Sequence, residues 1–181
     1  GLAWLRFSIN GTDPDAYART HGVERERFGE AMAAVERATA RKRRQGLGVT
    51  VGVQLVLLDD NAPFLPAFAR RIKDLGVDYL SIKPYSKHPL SENDLSVSYP
   101  RFAEVAASLE GISDASFKMQ FRAGSVSRLG RRKPYGRCYG THFMNFVSAD
   151  GKVWECNIFA GDPRFLVGEL HEASFSEIWH G

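Results

Sequence analysis

Residues 49–58 read VTVGVQLVLL, a run of apolar and mostly β-branched side chains broken only by Gly52, Thr50 and Gln54. Such a run fits a strand buried on both faces, and strands of that kind belong to parallel sheets. Parallel strands need crossover connections, so helical segments must alternate with the strands. The rest of the first two thirds of the chain supplies that alternation. Residues 2–9, 78–84 and 115–122 read as further strands. Between them lie helical patterns over roughly 14–45, 62–75 and 99–109. Pro14 at a first helical position, with Thr12 or Asp13 as cap, starts the first, and a break is expected at His21–Gly22. The cluster Arg41–Arg44 suits the helix's carboxyl end, and Gly46 stops it. This is an α/β chain built from right-handed βαβ units.

The character changes near Gly124. The stretch GSVSRLGRRKPYGR is basic, glycine-rich and aperiodic, and it sets an expected boundary between a unit over 1–123 and another over 124–181. Its Arg128, Arg131, Arg132, Lys133 and Arg137 read first as a solvated linker, with an anionic ligand as the other possibility. A net charge of only +3 gives no independent reason to invoke nucleic acid. No apolar run approaches the length of a membrane span, and no signal-peptide pattern opens the chain. Two cysteines in such a composition point to a reducing, cytoplasmic setting rather than a disulfide framework. The first residues enter a strand directly and the last follow a helix-like FSEIWHG, so a segment of a longer protein is expected.

Those two cysteines, Cys138 and Cys156, flank a hairpin signal: THFMNFV, SADGK, VWEC. Asp-Gly between β-rich runs is a strong hairpin dipeptide, and a hairpin brings flanking side chains together. Paired thiolates begin an iron–sulfur or zinc site, although each requires four ligands. Two plainer readings stand beside that one: buried apolar thiols and a cross-hairpin disulfide. Other polar residues sit where strands end. Ser8 and Asn10 close the first strand, with Arg6 on the same alternation as Ser8. They suit a ribose or carboxylate ligand, and equally turn chemistry or a surface ion pair. Gln54 in an apolar strand needs a partner, either a ligand or a neighbouring polar group. Lys83 and Tyr85 precede the polar loop Ser86–Pro89 and are candidates for substrate contact. Tyr17 and His21 lie one helical turn apart, a spacing that usually means only an exposed helix face.

The pattern Cys138–x12–Gly151–x4–Cys156, followed by GDPRFLVGELHEASFSEIW (161–179), resembles the start of the SPASM or twitch auxiliary-cluster domain of radical S-adenosylmethionine enzymes. Gly168-Glu169-Leu170 stands where that family carries a Gly-Asn-Leu-like step. LRFSING (5–11), VGVQLVL (51–57) and YLSIKPY (79–85) resemble the fourth, fifth and sixth strands of its partial (β/α)6, TIM-like barrel. The resemblance implies an oxidoreductase or modifying enzyme that generates a 5′-deoxyadenosyl radical to abstract hydrogen from a peptide or carbohydrate-type substrate. It implies Cys138 and Cys156 as ligands of an auxiliary 4Fe–4S cluster. It implies S-adenosylmethionine against Arg6, Ser8, Asn10 and Gln54, and an electron-donor protein as partner. No CxxxCxxC motif for the catalytic cluster occurs here, so this stretch alone is expected to be inactive. The alternative reading is a non-redox α/β binding module with a structural zinc site.

Overall fold

The computed structural model describes residues 1–85, 91–95, 101–121 and 135–180, with backbone alone for 101–103. The expected boundary near Gly124, the loop Ser86–Pro89 and most of the basic run lie outside these residues. The described residues fall into two compact units, one of 1–85, 95 and 101–121, the other of 91–94 and 135–180.

In the first unit, strands β1 (Trp4–Ser8), β2 (Thr50–Leu57), β3 (Tyr79–Pro84) and β4 (Lys118–Phe121) form one parallel sheet in sequential order. Helices α1 (Pro14–His21), α2 (Glu26–Gln45), α3 (Leu65–Asp74) and α4 (Arg101–Ser108) connect them. Asp13 caps α1 by accepting the N–H groups of Asp15 and Ala16. Gly22, in the left-handed conformation, ends α1 and produces the expected break before α2. A 3-10 turn at Ala62–Phe64 leads into α3.

The two faces of this sheet differ. Leu5, Phe7, Val51, Val53, Leu55, Leu57, Leu80, Ile82, Met119 and Phe121 belong to or pack on the hydrophobic core. That core includes Phe28, Met32 and Val35 of α2, Leu65, Phe68 and Ile72 of α3, and Val105 of α4. The alternate positions carry Arg6, Ser8, Gln54, Tyr79, Ser81, Lys83, Lys118 and Gln120, none of them in that cluster, although Tyr79 and Ser81 are themselves buried. Tyr79 crosses Gly52, where an added Cβ would lie 2.1 Å from its ring, and accepts a hydrogen bond from Trp4 Nε1 at 2.8 Å. Glycine at position 52 is therefore what lets β3 reach across β2 to β1.

The second unit is smaller. Strands β5 (Phe146–Val147), β6 (Lys152–Trp154) and β7 (Leu166–Glu169) form an antiparallel sheet, and α5 (Phe175–His180) follows. The expected hairpin is present between β5 and β6, with Gly151 left-handed at φ 80°. Its strands are shorter than the sequence suggested, because Gly140–His142 forms a 3-10 turn. Ser174 and Glu177 cap α5 reciprocally: the Ser174 N–H donates to Glu177 Oε2 at 2.9 Å, and the Glu177 N–H to Ser174 Oγ at 3.3 Å. Among the described residues no helix is long and apolar enough to cross a membrane.

Candidate metal centre and polar sheet face

The turn between β5 and β6 is tightly specified. Ser148 Oγ accepts from Trp154 Nε1 at 3.0 Å and itself donates to Asp150 Oδ1. That bond, with the Lys152 ammonium beside it, holds the Asp150 carboxyl down at a pKa of about 2. His171 Nε2 lies 3.2 Å from the Asp150 carbonyl and fills the space beside Gly151, where an added Cβ would meet it at 2.9 Å. Gly168 of β7 is likewise crossed by Ile178 of α5, at 2.9 Å from an added Cβ. The two glycines let β7 and α5 close on the hairpin.

This frame places the cysteines. Cys156 leaves β6 with extended backbone and begins a 3-10 turn at Asn157–Phe159, its carbonyl accepting from the Phe159 N–H at 3.2 Å. Cys138 lies just before the Gly140–His142 turn. Both are free thiols, Cys138 exposed and Cys156 half-buried, and both line one cavity of about 560 Å³. Met144, Phe146, Phe159 and Phe165 give that cavity apolar walls, with the Phe159 and Phe165 rings stacked at 4.2 Å. Asn145 lies between it and a neighbouring polar cavity of about 260 Å³. The Asn145 Nδ2 donates to the Trp154 carbonyl at 3.4 Å, and its Oδ1 is buried with no partner among the described residues.

Two soft thiols facing one apolar-walled chamber suit an iron–sulfur cluster in ligand type and in dielectric. They supply half of a four-ligand set. Among the described residues no group of three or more His, Cys, Asp or Glu side chains gathers to hold a metal.

The other candidate residues lie in the first unit. Ser8, Gln54, Ser81 and Gln120 stand in register across all four strands. Arg6, one alternation back on β1, is exposed with its guanidinium 4.8 Å over the Trp4 ring. Gln54 is 9 % exposed and its Oε1 has no partner among the described residues. The fold thus brings Arg6, Ser8 and Gln54 onto one face. Asn10 is different: its Oδ1 accepts the Val56 N–H at 3.1 Å, so the carboxamide ties β1 to β2. Lys83 and Tyr85 are half-buried at the same carboxyl edge, and neither is free of partners. Ser81 and Gln120 escaped the sequence reading, although the alternation Tyr79, Ser81, Lys83 marks a polar face of β3.

Residues 138–181 match the family model of SPASM, an iron–sulfur cluster-binding domain. No curated relative matches the chain. The match begins at Cys138 and includes Cys156, and it supports an iron–sulfur cofactor for this part of the chain.

Proposed function

We propose that this chain is part of a radical S-adenosylmethionine enzyme in which Cys138 and Cys156 contribute to an auxiliary 4Fe–4S cluster. The observation that carries the reading is the opening of both thiols onto one apolar-walled cavity within the stretch that matches an iron–sulfur domain. The four-stranded unit is read as the later half of a partial (β/α)6 barrel. Its sequential parallel order, with helices on the apolar face and a polar opposite face, supports that reading.

On this reading Arg6, Ser8 and Gln54 face S-adenosylmethionine, and Lys83 and Tyr85 face the substrate, a peptide or carbohydrate-type molecule. When bound with its catalytic cluster, the cofactor supplies a 5′-deoxyadenosyl radical for hydrogen abstraction. This chain's own residues bind and orient. Ser8 and the Gln54 Oε1, which has no partner among the described residues, offer a hydroxyl and an acceptor to a polyhydroxylated ligand. Asn10 serves the site indirectly, by tying the end of β1 to β2. The auxiliary cluster's thiolates would be held by the hairpin turn and the two short 3-10 turns beside it.

The test uses the full-length protein purified without oxygen. Iron and sulfide in excess of one catalytic cluster, with S-adenosylmethionine binding weakened by Ser8→Ala, support the reading. A colourless protein with stoichiometric zinc and no cofactor affinity would replace it with the non-redox binding module.

A further inference from the structure

The chain must turn sharply after β1 to begin α1, and three close contacts fix that corner. A Cβ at Gly11 would lie 2.2 Å from the Tyr17 backbone nitrogen, so only glycine allows this approach. Asn10 Oδ1 accepts the Val56 N–H of β2. The Asn10 N–H donates to Nε2 of His21, the last residue of α1, at 3.1 Å. The His21 ring is stacked on Tyr17 at 4.2 Å between centroids, and Tyr17 packs on Phe28 of α2 at 5.6 Å. A backbone N–H can donate only to a ring nitrogen with a free lone pair. The imidazole is then neutral, with its proton on Nδ1.

The geometry points to His21 as the positioning residue of this corner: a neutral imidazole, protonated at Nδ1, that accepts the Asn10 N–H and locks the end of β1 that presents Ser8. Protonating Nε2 removes the acceptor and releases the corner. Burial lowers the His21 pKa below its ordinary 6.5, which favours the accepting form. Of the charged groups on α1 and at the start of α2, Arg27 pairs with Glu30. Asp13 caps α1, Asp15 pairs with Arg25, and Arg19 pairs with Asp60. Because the folded pKa is lowered, the contribution is full above 6.5 and is lost as pH falls from there toward the folded value. The corner stands on the fold alone; only its bearing on cofactor binding rests on the function proposed above.

The test is nitrogen-15 NMR of the natural protein, which reads the ring tautomer directly and needs no variant. The expected result above neutral pH is a protonated Nδ1 and a bare Nε2. Exchange of the Asn10 and Val56 amides, corrected for intrinsic rates, should quicken about tenfold on acidification through the His21 titration. His21→Gln, which keeps an acceptor that does not titrate, should hold both amides protected throughout. His21→Phe, which keeps the stack on Tyr17 but has no acceptor, should leave them quick at every pH, with Met119 of β4 unchanged. A proton on Nε2 in the wild type, or Asn10 protection retained in His21→Phe, overturns the assignment. Loss of S-adenosylmethionine affinity at Ser8 tests the functional reading separately.

Discussion

The two units of this chain are held together in different ways. The four-stranded unit buries a continuous set of aliphatic and aromatic side chains between its sheet and its helices. In the second unit the only buried hydrophobic residues among those described are Val153 and Trp154. Around them Phe143 is 86 % exposed and Met144 72 %. What fixes this unit is turn chemistry: the Ser148–Asp150–Lys152 network, the Ser174–Glu177 cap and two glycines crossed by side chains. A unit of this size without a core of its own usually depends on a metal or a cross-link. The first unit draws its stability from burial; the second has turn chemistry, and the function proposed above adds a cluster bound to its two thiols.

Stripping iron from the full-length protein under anaerobic conditions should speed amide exchange in β5–β7 by at least about a hundredfold. The amides of β2 and β3 should keep their protection. Equal protection in both units before and after chelation would show that the second unit needs no metal.

Within the first unit, Gly52→Ala should cost about 1–3 kcal/mol by denaturant unfolding, because the new methyl collides with the Tyr79 ring and breaks its bond to Trp4. Iron content should not change. A variant as stable as the parent would mean that the Tyr79–Gly52 contact does not constrain β1.

Gln54→Leu sharpens the reading of the polar face. Its Oε1 is buried without a partner among the described residues, a situation that costs about 1–3 kcal/mol. The variant should therefore melt at the same temperature or higher, while binding S-adenosylmethionine more weakly. Earlier melting with unchanged affinity would show that Gln54 is satisfied internally and faces no ligand.

The smallest effect is electrostatic and lies in the second unit. Asp150 is held at about 2, first by the Ser148 hydroxyl and then by Lys152. A depressed carboxyl stabilises above its ordinary 3.8, and the benefit disappears as pH falls through the folded value. Carbon-13 NMR of the Asp150 carboxyl should give a midpoint well below that ordinary value, with Ser148 and Trp154 shifting together. A midpoint at 3.8 would show that Ser148 and Lys152 do not hold the Asp150 carboxylate.

Much of the first unit was legible because burial on a parallel sheet writes itself into composition. Residues 49–58 could hardly be anything but a central strand, and Asp13, Pro14 and Gly22 mark the ends of α1 through local chemistry. The fourth strand begins later than its sequence pattern suggests, at Lys118. Asp114 Oδ1 accepts the Ser116 and Phe117 N–H groups and holds Ala115–Phe117 out of the ladder. The row Ser8, Gln54, Ser81, Gln120 was not legible as a row, since register across strands is set by packing and not by spacing along the chain. Asn10 looked like a ligand because a carboxamide at a strand end suits one; its use on the Val56 N–H depends on β2 lying alongside. In the second unit the spacing of Cys138, Gly151 and Cys156 was informative, but β7 was missed. Its four residues carry little periodicity, and Gly168 is there to admit Ile178.

If Cys138 and Cys156 contribute to the same cluster, iron counts will report it. Anaerobically purified full-length protein should be compared with Cys138→Ala, Cys156→Ala and the double variant. Each single variant should lose one cluster's iron and sulfide, the double variant should lose no more, and any other cluster should be untouched. Iron unchanged in both single variants would contradict it.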